Sequence, residues 1–165
     1  MKEGKKEGEY LQWHHNGQVQ IQCSFKGDKP KEGRRWYPSG SLAERHFKKN
    51  TKKEVEHKQW YDNGQLKSHC YTRKGQRVGS YTTWHYHGGK RVECFYKAGK
   101  LEKQYKQWYS EGKLRLHCYY KSGKKDGDYK LWDKSGQLVT FSFFKNDKTE
   151  VCYECTIDSS NSTTS

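Results

Sequence analysis

Cysteine and histidine are the residues of this sequence that could hold a metal ion or carry redox chemistry. Cys152 and Cys155 form a Cys-x-x-Cys motif, which is the spacing of half a zinc site or of a redox pair. On a β-strand, however, residues three apart point to opposite faces, and the alternation of Val151, Tyr153 and Ile157 is typical of a strand. We therefore predict no metal site, no redox pair and no cofactor.

Catalytic groupings are the second kind of chemistry that a sequence can show. This sequence has no Ser/His/Asp grouping, no phosphate-cradling Gly loop and no paired-carboxylate signature. Two adjacent His-Cys pairs occur, but neighbouring residues on a strand face opposite sides. The pairs are His69-Cys70 and His117-Cys118. We predict that the protein is not an enzyme and has no small-molecule substrate.

Positive charge is concentrated in the middle of the chain. The net charge is +14, and residues 34–108 hold 18 Lys and Arg against 6 Asp and Glu. A basic face with aromatic rings can bind single-stranded nucleic acid by phosphate contacts and stacking, or it can bind anionic lipid. The same lysines could serve only to keep a sheet soluble. The candidate partner-binding residues are Tyr37, Tyr61, Tyr109, Arg34, Arg35, Lys48, Lys49, Lys52 and Lys53.

A tryptophan repeat predicts the elements that position these side chains. The six Trp residues recur at intervals of 23 or 24, and a Gly follows each Trp by four residues. A fixed period of this size indicates a repeat architecture, and an Asn-Gly or Ser-Gly pair before a strand fits a tight hairpin turn with positive φ at the Gly. The pairs are Trp13/Gly17, Trp36/Gly40, Trp60/Gly64, Trp84/Gly88, Trp108/Gly112 and Trp132/Gly136.

Each repeat is predicted to contain two strands. Six residues after Trp, a Leu or Val recurs in five repeats; Lys90 is the exception, and Val92 is expected to replace it after a slip. Second turns are predicted at Gly75, Gly99 and Gly123. Helix is excluded because glycine recurs too often, at about 1 kcal/mol for each helical Gly.

The predicted fold is all-β, an elongated single-layer antiparallel array of six β-hairpin repeats. We expect it to twist or curl into a trough whose inner face gathers the Trp and Leu side chains. Equivalent positions then lie about 9.6 Å apart, beyond the roughly 7 Å Cα limit for a disulfide. The cysteines at one repeat position are therefore predicted to be small buried hydrophobic residues. They are Cys23, Cys70, Cys94 and Cys118.

The array is predicted to occupy residues 1–157. Pro30 and Gly33 are expected to shorten the first strand of the second repeat, with an irregular or bent region near 28–54. Alternating residues predict a closing strand over 150–157, and the polar residues 158–165 predict a disordered tail. No apolar run approaches the roughly 20 residues that cross a bilayer, so we expect a soluble, intracellular protein.

The repeat unit resembles a known family. Gly-x-Tyr-x-x-Trp-x-x-x-Gly-x-Leu, seen from Gly127 through Trp132 and Gly136 to Leu138, resembles the MORN repeat. It is most similar to the variant found in antitoxin-like bacterial proteins and large DNA viruses, and the resemblance covers residues 4 to about 148. The resemblance implies a curved β-hairpin array that serves in scaffolding and protein contacts, with phospholipid binding in some members and no catalytic residues.

We expect a non-enzymatic scaffold that contacts other proteins through an aromatic surface or through exposed edge strands, including self-association. We further expect a minor component of a larger assembly, such as a virus particle. The alternative is binding of nucleic acid or anionic phospholipid membrane through the basic central repeats.

Overall fold

The computed structural model describes residues 4–49 and 53–154 and contains one open 13-stranded antiparallel sheet. Every strand pairs with its neighbours in sequence, and the described residues include no helix that could span a membrane. The predicted all-β, single-layer hairpin array is confirmed. The strands are β1 (Gly8–Trp13), β2 (Val19–Lys26), β3 (Lys29–Trp36), β4 (Leu42–Lys49), β5 (Glu54–Trp60), β6 (Leu66–Arg73), β7 (Gln76–Trp84), β8 (Lys90–Lys97), β9 (Lys100–Trp108), β10 (Leu114–Lys121), β11 (Lys124–Trp132), β12 (Leu138–Lys145) and β13 (Lys148–Glu154).

The turn after each Trp is a three-residue loop. In the third repeat the Gly64 N–H donates to the Tyr61 carbonyl at 3.0 Å, and the Tyr61 N–H donates to the Gln65 carbonyl at 2.8 Å. Gly64 has φ +83°, which identifies a type I turn followed by a left-handed bulge residue. We call this side of the sheet the tryptophan edge.

The glycines of these six turns share one backbone conformation, as the Trp/Gly spacing predicts. The residue before each of them does not have positive φ, so the Asn-Gly and Ser-Gly pairs lie in three-residue loops rather than in two-residue turns of their own. The extra loop residue is accommodated by the bulge beside each Trp. The glycines and their φ values are Gly17 (+82°), Gly40 (+85°), Gly64 (+83°), Gly88 (+92°), Gly112 (+85°) and Gly136 (+97°).

Two of these glycines also carry a packing constraint that the repeat pattern does not show. A Cβ on Gly40 would lie 2.9 Å from Gln18 Oε1, and a Cβ on Gly88 would lie 2.8 Å from Gln65 Oε1. In both cases the glutamine belongs to the preceding repeat. No heavy atom lies within 4 Å of a Cβ on Gly17, so in the first repeat only the backbone conformation favours glycine.

The turns on the opposite side that the structure describes in full are two residues long and of a different type, whereas four residues, 50–53, lie between the paired Lys49 and Glu54. Lys74 and Gly75 have φ values of 50° and 78°, and Ala98 and Gly99 have 49° and 78°. Positive φ at both central residues defines the type I′ turn, whose twist matches the twist of the strands. Outside residues 50–53 the two turn types therefore alternate along the chain, and each lies along its own edge of the sheet.

Strand register corrects one detail of the repeat. Trp84 pairs with Lys90, just as Trp60 pairs with Leu66, and Val92 pairs with Thr83. The expected slip to Val92 is therefore wrong, because the turn geometry fixes the pairing whatever residue follows it. Lys90 keeps the position by placing its ammonium group 5.8 Å from the centre of the Trp108 ring.

The most deeply buried side chains lie in a central row in which cysteine and tyrosine pair across neighbouring strands. Cys94 and Cys118 are 5% and 1% exposed, and each pairs with a tyrosine on both neighbouring strands. By strand parity Trp108, three residues after Tyr105, points to the face opposite this row. Trp13 is 55% exposed and the other tryptophans are half-buried, as the tyrosines of the row are, so the expectation that the inner face gathers the Trp and Leu side chains stays a prediction.

The second and third repeats differ from the pattern in a way that the sequence predicts only in part. β3 has eight residues, so Pro30 does not shorten it; Pro30 pairs with Phe25 beside a register shift, where its missing N–H is tolerated. β4 and β5 pair without any register shift, whereas all other neighbouring strands show one. The irregularity of this region is thus the absence of a bulge between β4 and β5, and both strands are present.

The last strand, β13, pairs with β12 and starts two residues before the expected closing strand. Its described part ends at Glu154. Residues 155–165, which include the expected tail and Cys155 of the Cys-x-x-Cys motif, lie outside the described residues, as do residues 50–52.

Candidate binding surfaces

A basic residue ends the second strand of every repeat. The residue thirteen positions after each Trp is Lys or Arg in all six repeats, and the residue sixteen positions after it is Lys in five. Because the type I′ turns lie between these two positions, the basic residues flank the turns on one side of the sheet. The described side chains, all exposed, are Lys26, Lys29, Arg73, Lys97, Lys100, Lys121, Lys124, Lys145 and Lys148. We call this row the lysine edge.

Acidic side chains near the lysine edge are used to hold the turns. Glu7 Oε1 accepts from the Gly27 N–H, Glu102 Oε2 from the Ser122 N–H and Asp147 Oδ1 from the Lys125 N–H, each at 2.7 Å. A carboxylate that accepts a hydrogen bond from a backbone N–H group is held in place beside that group. Only Arg73 and Lys145 of the described row form ion pairs, with Glu54 and Asp126. The row therefore keeps most of its positive charge toward solvent.

The basic residues that the sequence analysis selected are dispersed. Arg34 and Arg35 are neighbours on β3, so they point to opposite faces; Arg34 pairs with Glu32 at 2.8 Å and Arg35 with Glu44 at 3.1 Å. Lys48 faces a cavity beside His46, described below. Lys49 ends β4 and Lys53 is exposed just before β5, while Lys52 lies outside the described residues. The described side chains of this set, Arg34, Arg35, Lys48 and Lys53, do not form one patch.

The three selected tyrosines join neighbouring repeats. The hydroxyl groups of Tyr37, Tyr61 and Tyr109 donate to the Trp carbonyl of the next repeat, each at 2.9 Å. His14 and His85 occupy the same repeat position, and their Nε2 atoms lie 3.0 and 3.1 Å from the corresponding Trp carbonyls. At least two side-chain bonds, one to the Trp carbonyl and one to a second carbonyl nearby, therefore hold the tryptophan edge at every repeat boundary, and the hydroxyl groups of these tyrosines are not free for a partner.

The lysine edge is not among the sequence predictions, although its signal is present in the sequence. A count of charge by region of the chain emphasises residues 34–108 and hides the position of each charge in the repeat. Counted by position, the basic residue thirteen positions after Trp is as regular as the glycine four residues after it.

A cavity interrupts the central row in the second and third repeats. The row there contains Gly33, His46 and His57 in place of alternating tyrosine and cysteine. The cavity has a volume of about 530 Å³ and is open to solvent. Its apolar wall includes Ile21, Cys23, Phe25 and Val55.

The two histidines of the cavity form a single hydrogen-bonded chain. Their Nδ1 atoms are 2.6 Å apart, His57 Nε2 is 2.8 Å from Thr72 Oγ1, and His46 Nε2 is 3.1 Å from Glu44 Oε1. One arrangement of protons satisfies every contact: Thr72 donates to His57, His57 Nδ1–H donates to His46, and His46 Nε2–H donates to Glu44. Burial, followed by the nearby His46, lowers the pKa of His57 below 6.5, in keeping with a neutral His57 ring.

Two cysteines of the row, Cys94 and Cys118, are protected thiols. Burial raises the pKa of Cys94 and of Cys118 to about 11, so the reactive thiolate is scarce at neutral pH. Cys152 is exposed on β13. Among residues 4–49 and 53–154, no group of three or more His, Cys, Asp or Glu side chains is placed to hold a metal ion.

The protein is a β-hairpin repeat protein: it has one open sheet of repeated hairpins, with side-chain hydrogen bonds between repeats along the tryptophan edge and basic residues along the lysine edge. Three segments match the family described as the MORN repeat variant: residues 6–26, 53–74 and 101–122. The chain contains MORN variant repeats in these three segments. The search of curated proteins found no match. MORN repeats are generally non-catalytic and generally mediate interactions with proteins or membrane lipids.

Proposed function

We propose that this chain is a non-catalytic scaffold that binds other proteins, and that the lysine edge receives an acidic partner. The observation that carries the proposal is the basic residue thirteen positions after every Trp, with the described members exposed. Repeats that advance by about 9.6 Å present up to two positive charges per step to a partner lying along the edge.

The faces of the sheet are less suited to an acidic partner than the edge. Arg45 shares Glu32 with Arg34, and Lys58 pairs with Glu56 at 3.5 Å. Arg77 lies 4.7 Å from the centre of the Tyr81 ring. Basic groups that already hold an acid or a ring gain less from a new anion than the lysines of the edge.

The proposal is tested by titrating the full chain with three probes at low salt. The probes are poly-glutamate, an oligo-thymidylate single strand, and vesicles that contain phosphatidylserine. We expect the tightest binding to poly-glutamate, and a large loss of that binding when Lys97, Lys100, Lys121 and Lys124 are changed to Gln. Absence of binding to poly-glutamate at low salt would refute the proposal.

The second candidate function is binding of nucleic acid or anionic phospholipid through the basic residues. The same row of lysines supports it, because phosphates in a strand or a membrane surface also present repeated negative charge. Tighter binding to the oligonucleotide or to the vesicles than to poly-glutamate would favour this candidate.

Self-association through the end strands is a further part of the scaffold proposal. Among the described residues β1 pairs with β2 alone, and Tyr10, Leu11 and Trp13 are 49%, 38% and 55% exposed. An open strand with exposed apolar side chains favours pairing with another strand. Light scattering across a concentration series should show dimers, which Leu11→Arg weakens. Phe47→Arg on the interior strand β4, at a residue that is 40% exposed, is the matched control; a monomer at all concentrations would exclude self-association.

Membership of a larger intracellular assembly, such as a virus particle, belongs to the same proposal. It rests on the resemblance to the variant repeats of large DNA viruses. Mass spectrometry of purified particles should detect the chain, and its absence from them would contradict this part of the proposal.

A further inference from the structure

The cavity in the central row lies where an aromatic pair is missing. In the fourth to sixth repeats the tyrosine three residues before Trp packs against an aromatic ring twelve residues after Trp. The ring centres are 5.9 Å apart for Tyr81–Tyr96, 5.9 Å for Tyr105–Tyr120 and 5.6 Å for Tyr129–Phe144. The second repeat has Gly33 and Lys48 at these two positions, so both rings are absent.

Backbone geometry does not require the glycine at this position. Gly33 is not among the residues with positive φ. A Cβ on Gly33 would meet Cys23 Cβ and His46 Cδ2 at 3.9 Å, which is ordinary contact. Glycine inside a strand weakens it, and here no turn or close approach accounts for it. The missing side chain leaves open space on the packed face of the sheet.

The space has the size and the lining of a ligand site. Its volume of about 530 Å³ lies within the range of small-molecule pockets. Cys23, Phe25 and Val55 supply apolar contacts, and His46 and His57 supply polar atoms on the same wall. An aromatic ring is the group that the other repeats place at this point of the row.

The charges around the cavity favour an acidic group on that ring. Glu44 is engaged by Arg35, and Glu32 by Arg34 and Arg45. Lys31 and Lys48 line the cavity without an acidic partner among the described residues. In other repeats a cation also covers the aromatic pair, with Lys125 lying 4.9 Å from the Tyr129 ring centre and 4.7 Å from that of Phe144.

We propose that this cavity binds a small aromatic carboxylate, whose ring takes the place of the missing tyrosine and whose acid pairs with Lys48. The ligand is bound without being turned over. This site is separate from the lysine edge, so either can fail without the other.

The test is a titration of the full chain with para-hydroxyphenylacetate, and with neutral para-cresol as a second probe, followed by isotope-edited NMR. We expect saturable binding of the acid, with shifts concentrated at the amides of Cys23, Gly33, His46 and His57. We expect weaker binding of the cresol. No saturation by the acid at about 5 mM would overturn the proposal, because this corresponds to affinity too weak for a built site.

Two variants separate filling of the cavity from loss of its charge. Gly33→Tyr supplies the missing ring and should lower affinity for both probes at least about tenfold, whereas Gly33→Ala should change it by less than about threefold. Lys48→Gln should weaken binding of the acid but not binding of the cresol. Unchanged binding in folded Gly33→Tyr would contradict the site. If that variant does not fold, shifts in the unmodified chain that map away from the cavity would contradict it.

Discussion

The two edges of the sheet connect neighbouring repeats by different means. At the tryptophan edge, side chains make the connection: Tyr109 donates to the Trp132 carbonyl, and equivalent bonds occur at the other repeat boundaries. At the lysine edge, the backbone makes it, as when the Gly123 N–H donates to the Leu101 carbonyl at 2.8 Å. Acidic side chains such as Glu102 share this task with the backbone, whereas the basic side chains of the lysine edge are free of it. The comparison shows how one repeat can supply a constant scaffold on one side and a binding row on the other.

Turn chemistry sharpens the same contrast. The loops at the tryptophan edge place Gly at one left-handed position, with φ +85° at Gly112. The type I′ turns at the lysine edge place ordinary residues there as well, such as Ala98 and Ser122. Replacing the glycine of a turn at the tryptophan edge should therefore lower the free energy of unfolding, whereas placing a glycine at the left-handed position of a turn at the lysine edge should raise it.

The largest change in stability is expected from Gly112→Ala. No heavy atom lies within 4 Å of the added Cβ, so the cost comes from the left-handed backbone alone and should be about 1–2 kcal/mol. Urea unfolding measures it. Gly33→Ala is the matched control and should not destabilise the sheet, since φ at Gly33 is not positive. Equal losses in both variants would contradict this interpretation of the turn.

Removal of one side-chain hydrogen bond at the tryptophan edge should lower the free energy of unfolding by somewhat less. Tyr109→Phe leaves the Trp132 carbonyl without its donor and should lower the free energy of unfolding by about 1 kcal/mol. Tyr153→Phe, at a residue that is 60% exposed, is the control in the same thermal or urea experiment. If the two variants are equally stable, the tyrosine hydrogen bonds to the Trp carbonyls contribute nothing to the stability of the sheet.

At the lysine edge a substitution to glycine should raise the free energy of unfolding rather than lower it. Ala98→Gly relieves a non-glycine residue at φ 49° and should raise the free energy of unfolding by about 0.5 kcal/mol, after the greater flexibility of the unfolded chain is subtracted. A loss of stability in urea would show that this turn is not under strain.

Acidification should weaken the interior of the sheet rather than either edge. Burial is the first cause that lowers the pKa of His57 and of His117 below 6.5; nearby Lys106 and Lys130 add to it at His117. Below pH 6.5 the unfolded chain therefore takes up these protons before the folded chain does, and the free energy of unfolding decreases. Unfolding curves from about pH 7.5 to 5.5 measure this effect. His117→Phe should reduce the dependence and His15→Gln should not; a flat profile in the unmodified chain would oppose the assignment.

Much of the fold could be predicted because its signals are local. The Trp/Gly spacing predicts a hairpin turn from five consecutive residues, and the glycine at each turn has the positive φ that this requires. The expected slip at Lys90 is wrong because it gives hydrophobicity more weight than the turn that fixes register. The burial of Cys118 follows from its repeat position, but the Tyr105 row that covers it depends on bulges that sequence parity cannot count.

The candidate surfaces depend on contacts between repeats, which are harder to predict. Tyr109 has the pattern of an exposed aromatic residue until its hydroxyl is seen to reach the carbonyl of a residue 23 positions away. The cavity at Gly33 requires alignment of β2 to β5 across a region where one usual bulge is missing. The lysine edge is the exception, since a count by repeat position predicts it.

The most direct test of the lysine edge is the salt dependence of poly-glutamate binding in two matched variants. One changes Lys97, Lys100, Lys121 and Lys124 to Gln; the other changes the exposed Lys67, Arg91, Arg115 and Lys134, which lie toward the tryptophan edge, and removes the same charge. We predict that the first loses about a hundredfold in affinity at low salt and has a shallower salt slope, whereas the second changes by less than about tenfold. Equal losses in the two variants would show that net charge, rather than the lysine edge, determines binding.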